Sequence, residues 1–137
     1  GYGRLPNVVT SLELERMLSP AGVTHGHVVR PSDMKVPRRV VFIQCVGARG
    51  QGGRPYCSRF CCMNAVKDSM LMRQHDPDIE EITILFTDLR AFGKGFDDFV
   101  ERSETSFPLQ LSAWATAKAP YGWRAARVAP SDGLREL

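Results

Sequence analysis

Two apolar runs constrain this chain more than anything else in it. "RRVVFIQ" (38–44) and "EEITILF" (80–86) both have the β-branched and aromatic content of a strand, and "CSRFCCMNAVKDSMLMRQH" between them reads as a helix. A helix between two strands is the usual connection when the strands run parallel. Continuous apolar runs such as Val40–Ile43 are expected of strands covered on both faces. The predicted fold class is therefore α/β with a parallel sheet. Ala65, Val66, Met70 and Leu71 offer the connecting helix a core stripe, and His75 and Pro77 mark its end.

Between the first strand and the helix lies a loop, "VGARGQGGRP", with four glycines. In dinucleotide-binding βαβ units the phosphate loop occupies this position. Here no clean G-x-G-x-x-G spacing is present, and cysteines stand where phosphate contacts would be. The glycines read equally well as simple flexibility.

The flanks are shorter. "NVVTSLELERMLS" predicts a helix, with Thr10 or Ser11 as its cap and Glu13 completing a capping box with Thr10. Leu12, Leu14, Met17 and Leu18 supply its apolar stripe. "PAGVTHGHVVRPSDMKVP" reads as a loop, and its His25 and His27 as solvated side chains rather than ligands. "GKGFDDFVERSE" predicts a further helix with Phe96, Phe99 and Val100 on one face. After it, "TSFPLQLSAWATAKAPYGWRAARVAPSDGLREL" shows no clear period. The expected organisation is a helix and linker over 1–37, a βαβα unit over 38–104, and a separate tail over 105–137 with few contacts to the two strands.

All four cysteines belong to the βαβ unit: Cys45 ends the first strand, and Cys57, Cys61 and Cys62 stand at the start of the helix. Burial of unconnected thiols is the plain reading, since free cysteine is among the most buried residue types. It does not explain why every thiol is at one junction. Disulfides need an oxidising compartment, which nothing in the sequence suggests. Structural zinc usually shows two C-x2-4-C pairs, whereas the spacing here is C-x11-C-x3-C-C. Nor is it a standard ferredoxin run. The residues alone lead to a four-thiolate metal centre, iron–sulfur ahead of zinc.

Charge supports an anionic centre. From Val36 to His75 seven basic residues face one acid, Asp68, while Asp76 to Glu104 holds nine acids and three bases. Arg49, Arg54 and Arg59 flank the cysteines. With a net charge of only +3 and no binding motif, nucleic acid is not an expected partner. No apolar run is long enough for a membrane span, and no secretory signal is present, so a cytoplasmic location is expected. The chain starts at "GYGRLPNVV" without an initiator Met and reads as a piece of a longer protein.

"YGRLPNVVTSLELERMLSPAG", "VVFIQCVGARG", "PYCSRFCCMNAVKDSMLMRQHDPDIEEITI" and "TDLRAFGKGFDDFVERS" together resemble the A subunit of heterodisulfide reductase and its relatives in sulfate reducers and other anaerobes. The resemblance covers Gly1 to Ser103. It implies a Rossmann-like βαβ fragment, with an incomplete parallel sheet, of a thioredoxin-reductase-like flavoprotein that binds FAD. It also implies one [4Fe–4S] cluster held by Cys45, Cys57, Cys61 and Cys62. Glu15 and Lys67 match positions near the flavin ring; on their own they would read as solvated helix charges. The implied function is electron relay between FAD and partner iron–sulfur clusters. The enzyme would be an oxidoreductase complex with other heterodisulfide-reductase-type subunits and electron carriers, and this fragment alone would be inactive. The alternative is a zinc-stapled structural or interaction module without redox activity. The phosphate-binding half of an FAD site and the further ferredoxin clusters do not occur in this sequence.

Overall fold

A computed structural model describes residues 1–49, 54–106, 109–116 and 123–125 of the chain. The elements run α1 (Ser11–Leu18), β1 (Arg39–Ile43), α2 (Cys61–His75), β2 (Glu81–Phe86), α3 (Phe96–Ser106), β3 (Leu109–Thr116) and β4 (Trp123–Ala125). One sheet is formed, in the order β1-β2-β3-β4.

β1 and β2 are parallel, with Val40 opposite Ile82 and Phe42 opposite Ile84, so the predicted βαβ unit is present with α2 as its crossover. α2 buries Cys62, Met63, Ala65, Val66 and Met72 in one core with Ile82, Ile84 and Phe86 of β2. Leu14 and Leu18 of α1 join that core. Leu12, expected in the same stripe, is 82% exposed. At about 100° per residue it lies nearly opposite Leu14 on the helix.

α1 begins with the anticipated capping box: the Glu13 N–H donates to Thr10 Oγ1 at 3.3 Å, and the Thr10 N–H donates to Glu13 Oε2 at 2.6 Å. That Thr10 N–H, and then the Thr10 hydroxyl, hold the Glu13 carboxyl below its usual range. Thr10→Ala is expected to destabilise the chain by about 1 kcal/mol. A urea titration monitored by circular dichroism checks this; an unchanged midpoint would mean that the cap adds nothing.

Two expectations need correcting. β1 is not covered on both faces: Phe42 is buried, but Val41 is 41% and Ile43 48% exposed. β1 is an edge strand, and the described residues leave that face largely open. Of the two strands expected to be covered on both faces, β2 is so buried. Nor does the chain leave the sheet after residue 105. β3 pairs in parallel with β2, from Ile82 opposite Leu109 to Phe86 opposite Ala113, and β4 pairs antiparallel with β3. The reason is visible in "LQLSAWAT", where Leu109, Leu111, Ala113 and Ala115 alternate as a strand requires. The rest of the expected tail, and the side chains of Trp114 and Trp123, lie outside the described residues.

Candidate functional site

The hydrogen-bond ladder of β1 continues one residue beyond the strand, where the Gln44 N–H donates to the Leu85 carbonyl at 2.9 Å. Cys45 then turns the chain with a φ of 61°, followed by Gly47 at 70° and Arg49 at 60°. The loop is closed at its base: the Arg54 N–H donates to Gly47 O at 3.1 Å, and the Arg49 N–H to Arg54 O at 2.6 Å. On the other side of the junction Arg59, between Cys57 and Cys61, has a φ of 59°. Left-handed backbone costs a non-glycine residue about 1–2 kcal/mol. Such strain gathers where a site needs it, and here Cys45, Arg49 and Arg59 all carry it beside the thiols.

Each sulfur near α2 has a polar neighbour. The Arg59 N–H donates to Cys57 Sγ at 3.3 Å. The Ser58 hydroxyl lies 4.0 Å from Cys61 Sγ, and the Cys62 thiol lies 4.0 Å from the Asp88 carbonyl. α2 starts at Cys61, so Cys57 stands in the loop before it, and no side chain caps the helix. Helix N-termini carry partial positive charge, and this one begins at Cys61 and Cys62.

Cys45, Cys57 and Cys61 are partly exposed and Cys62 is buried. Burial pushes the Cys62 thiol up, opposed by a backbone hydrogen bond from Arg90, and the nearby thiols of Cys61, Cys45 and Cys57 push it further. Cys62 is thus the thiol on which the other three act. Among the described residues, however, no three His, Cys, Asp or Glu side chains are placed to hold a single metal ion. A cluster asks for a looser arrangement, because each thiolate binds its own iron.

Sequence reasoning missed Asp88, just past the end of β2. Its carboxylate is ion-paired with Arg49 and lies 2.9 Å from Arg90 Nε. The Arg49 charge is thereby matched by an acid from across the junction. Arg59 instead stacks on Phe92, 4.5 Å from the ring centroid. A polar residue at the carboxyl end of a parallel strand is a recurrent site position and could have drawn notice to Asp88.

A second charged cluster joins α1 to α2. Lys67 Nζ is ion-paired with Glu15, although 52 residues separate them, and lies 3.1 Å from Asp68 Oδ1. Asn64 Nδ2 donates to Asp68 Oδ2 at 3.0 Å. Lys67 and Glu15 keep 43% and 35% side-chain exposure, while Asp68 has none. Burial pushes the Asp68 carboxyl up to about 6, against the pull of Lys67. The Lys67 hydrogen bond holds Glu15 below the usual carboxylate range. Burial lowers Lys67, but its bonds to Glu15 and Asp68 leave it raised overall. Asp68 and Asn64 were not anticipated. The signal available was an acid set within the apolar "AVKDSML", the only acid between Val36 and His75.

Of the two loop histidines, His27 has a structural role, shared with His75 at the end of α2. His27 Nδ1 lies 2.8 Å from Asp76 Oδ1, the Val28 N–H donates to Asp76 Oδ2 at 2.9 Å, and His75 Nδ1 lies 2.8 Å from the Gly26 carbonyl. These bonds pin the loop to the end of α2. His27 is thus paired with Asp76, although 57% of its side chain remains exposed.

No protein-family model matches the chain. Curated relatives do. The chain is 55% identical over 112 residues to the A subunit of the H(2)/formate:CoB-CoM heterodisulfide,ferredoxin reductase of Methanococcus maripaludis, covering 81% of this chain and 17% of that protein. It is 53% identical over 115 residues to an iron-sulfur A subunit of the CoB--CoM heterodisulfide reductase of Methanopyrus kandleri, with the same two shares. The A subunit of the ferredoxin/F(420)H(2)-dependent CoB-CoM heterodisulfide reductase of Methanosarcina acetivorans is 44% identical over 105 residues, 76% of this chain and 13% of that protein. A match covering 81% of 137 residues is too long to stop at Ser103, so the similarity reaches into β3. Spanning 17% of the length of the first two relatives, the chain belongs to the heterodisulfide reductase A-subunit family.

Proposed function

We propose that this chain is the cluster-bearing, Rossmann-like part of a thioredoxin-reductase-like flavoprotein, and that Cys45, Cys57, Cys61 and Cys62 ligate one [4Fe–4S] cluster. The observation that carries this reading is the gathering of all four cysteines at the β1–α2 junction, where Cys45 and the neighbouring Arg49 and Arg59 have left-handed backbone. The donor set fits: four thiolates are a complete ligand set for such a cluster. The C-x11-C-x3-C-C spacing lacks the paired C-x2-4-C units usual for structural zinc. The words "iron-sulfur" in the name of the Methanopyrus kandleri relative point the same way.

A cluster bound there supplies one-electron transfer. This chain's residues would hold and tune it: the Arg59 N–H bonds the Cys57 sulfur, and Cys61 and Cys62 stand in the first turn of α2, where the helix carries partial positive charge. Hydrogen bonds to sulfur and local charge set a cluster's potential. The half-exposed Lys67 and Glu15 form the face offered to FAD, where a cation beside the ring tunes its potential. With both groups bound, the chain would serve to relay electrons between FAD and clusters of neighbouring subunits, in a cytoplasmic complex with carriers of the ferredoxin or F420H2 kind that the relatives' names mention.

Anaerobic purification and reconstitution test the metal assignment. The expected product is brown, with about four iron and four sulfide per chain. A colourless protein with about one zinc and no iron uptake would establish the zinc-stapled module instead.

A further inference from the structure

Asp68 is the most deeply buried ionisable group among the described residues, with no side-chain exposure, and nothing proposed above uses it. Its two oxygens differ: Oδ2 accepts from Asn64 Nδ2 at 3.0 Å, whereas Oδ1 makes no hydrogen bond among the described residues and has the Lys67 ammonium 3.1 Å away as its charge partner. Lys67 is therefore gripped from two elements, by Glu15 of α1 and by Asp68 of its own helix. The exposed part of its side chain is left to face a ligand. A single Glu15–Lys67 bridge between partly exposed groups would leave the ammonium free to wander, because exposed pairs are worth little.

We propose that Asp68 is a positioning residue for Lys67, fixing the ammonium and setting the net charge that the flavin meets. The inference rests on the reading that Lys67 stands beside the flavin. The groups acting on Asp68 are Lys67 and Asn64 of α2 and Glu15 of α1; β2 contributes apolar Ile82, Ile84 and Phe86 to the core on this side. With Glu15, Lys67 and Asp68 all charged, the three together carry one net negative charge. When Asp68 is protonated they carry none. Burial places that change at about pH 6. A negative charge near a flavin disfavours its reduction, so the potential is expected to respond to Asp68 across this pH.

The experiment uses the full-length FAD-loaded protein that carries this segment, with flavin potentials titrated from pH 5 to pH 8. Asp68→Asn is expected to raise the potential above about pH 6 and to match wild type below it, where native Asp68 is already neutral. Asn64→Ala, which removes a donor to the ionised carboxylate, is expected to move the break to higher pH. This second variant keeps the test open if Asp68→Asn does not fold. Lys67→Met separates the two levels of inference. If Lys67→Met shifts the potential while Asp68→Asn tracks wild type at every pH, the role of Asp68 is overturned and the place of Lys67 stands. If Lys67→Met also leaves the potential unchanged, the flavin reading fails, and the inference with it.

Discussion

Cys62→Ser is expected to remove most of the iron from this chain, from about four per chain to below one, after anaerobic reconstitution. Cys62 is 3% exposed in the first turn of α2, with its thiol against the Asp88 carbonyl. Serine fits the same space and needs no new backbone conformation, so the fold survives and the change is chemical. A hydroxyl is a harder donor that stays protonated near neutral pH, and soft thiolate is what such clusters select. Loss of broad visible absorption together with iron and sulfide, at unchanged circular dichroism, is the expected result. Ser58→Ala is the control, since Ser58 contacts Cys61 only weakly at 4.0 Å and should leave the iron content intact. Thiol titration gives a second readout: four reactive sulfurs in the apoprotein, Cys62 slowest because it is buried, and none in the reconstituted one. Full iron retention in Cys62→Ser would exclude this residue from the ligand set.

What the sequence revealed follows the range of each signal. The capping box of α1 and the βαβ order rest on contacts a few residues apart or on a two-residue period, and both are present. The exposed face of β1 was not legible. "VVFI" carries no information about which elements lie over it, and a continuous apolar run reads the same on an edge strand as in the middle of a sheet. β3 was overlooked because Trp114 interrupts a short alternation that otherwise marks a strand. The thiols were recognisable as a group from spacing. The partners Asp88 and Arg90 arrive from across the junction and could not be. Glu15 and Lys67 were singled out only through the family resemblance, and their direct pairing is a tertiary fact.

Lys67→Met tests that tertiary fact through stability, without any cofactor. The substitution leaves the Asp68 carboxylate buried with Asn64 as its remaining close partner. Removing one member of a buried ion pair costs about 3–5 kcal/mol, and the 43% exposure of Lys67 places this case nearer ~2 kcal/mol. The pH dependence identifies the cause. In the native chain Asp68 titrates at about 6 against an ordinary 3.8, so its contribution to stability is fully present below about pH 4 and is lost as pH rises through 6. Without Lys67 the Asp68 carboxyl is pushed higher still, and that loss extends further toward neutral pH. Glu15 acts in the same direction. Held low by Lys67, it stabilises the fold above its ordinary value of 4.5, and the variant forfeits this. The gap between wild type and Lys67→Met should therefore be small at pH 4 and widest near pH 7 to 8, as read from urea midpoints across that range. In Lys67→Met/Asp68→Asn, where no buried charge is stranded, most of the gap is expected to close. A penalty independent of pH, or one unrelieved by the second substitution, would show that Lys67 supports the helix through its alkyl packing and that Asp68 does not depend on its charge.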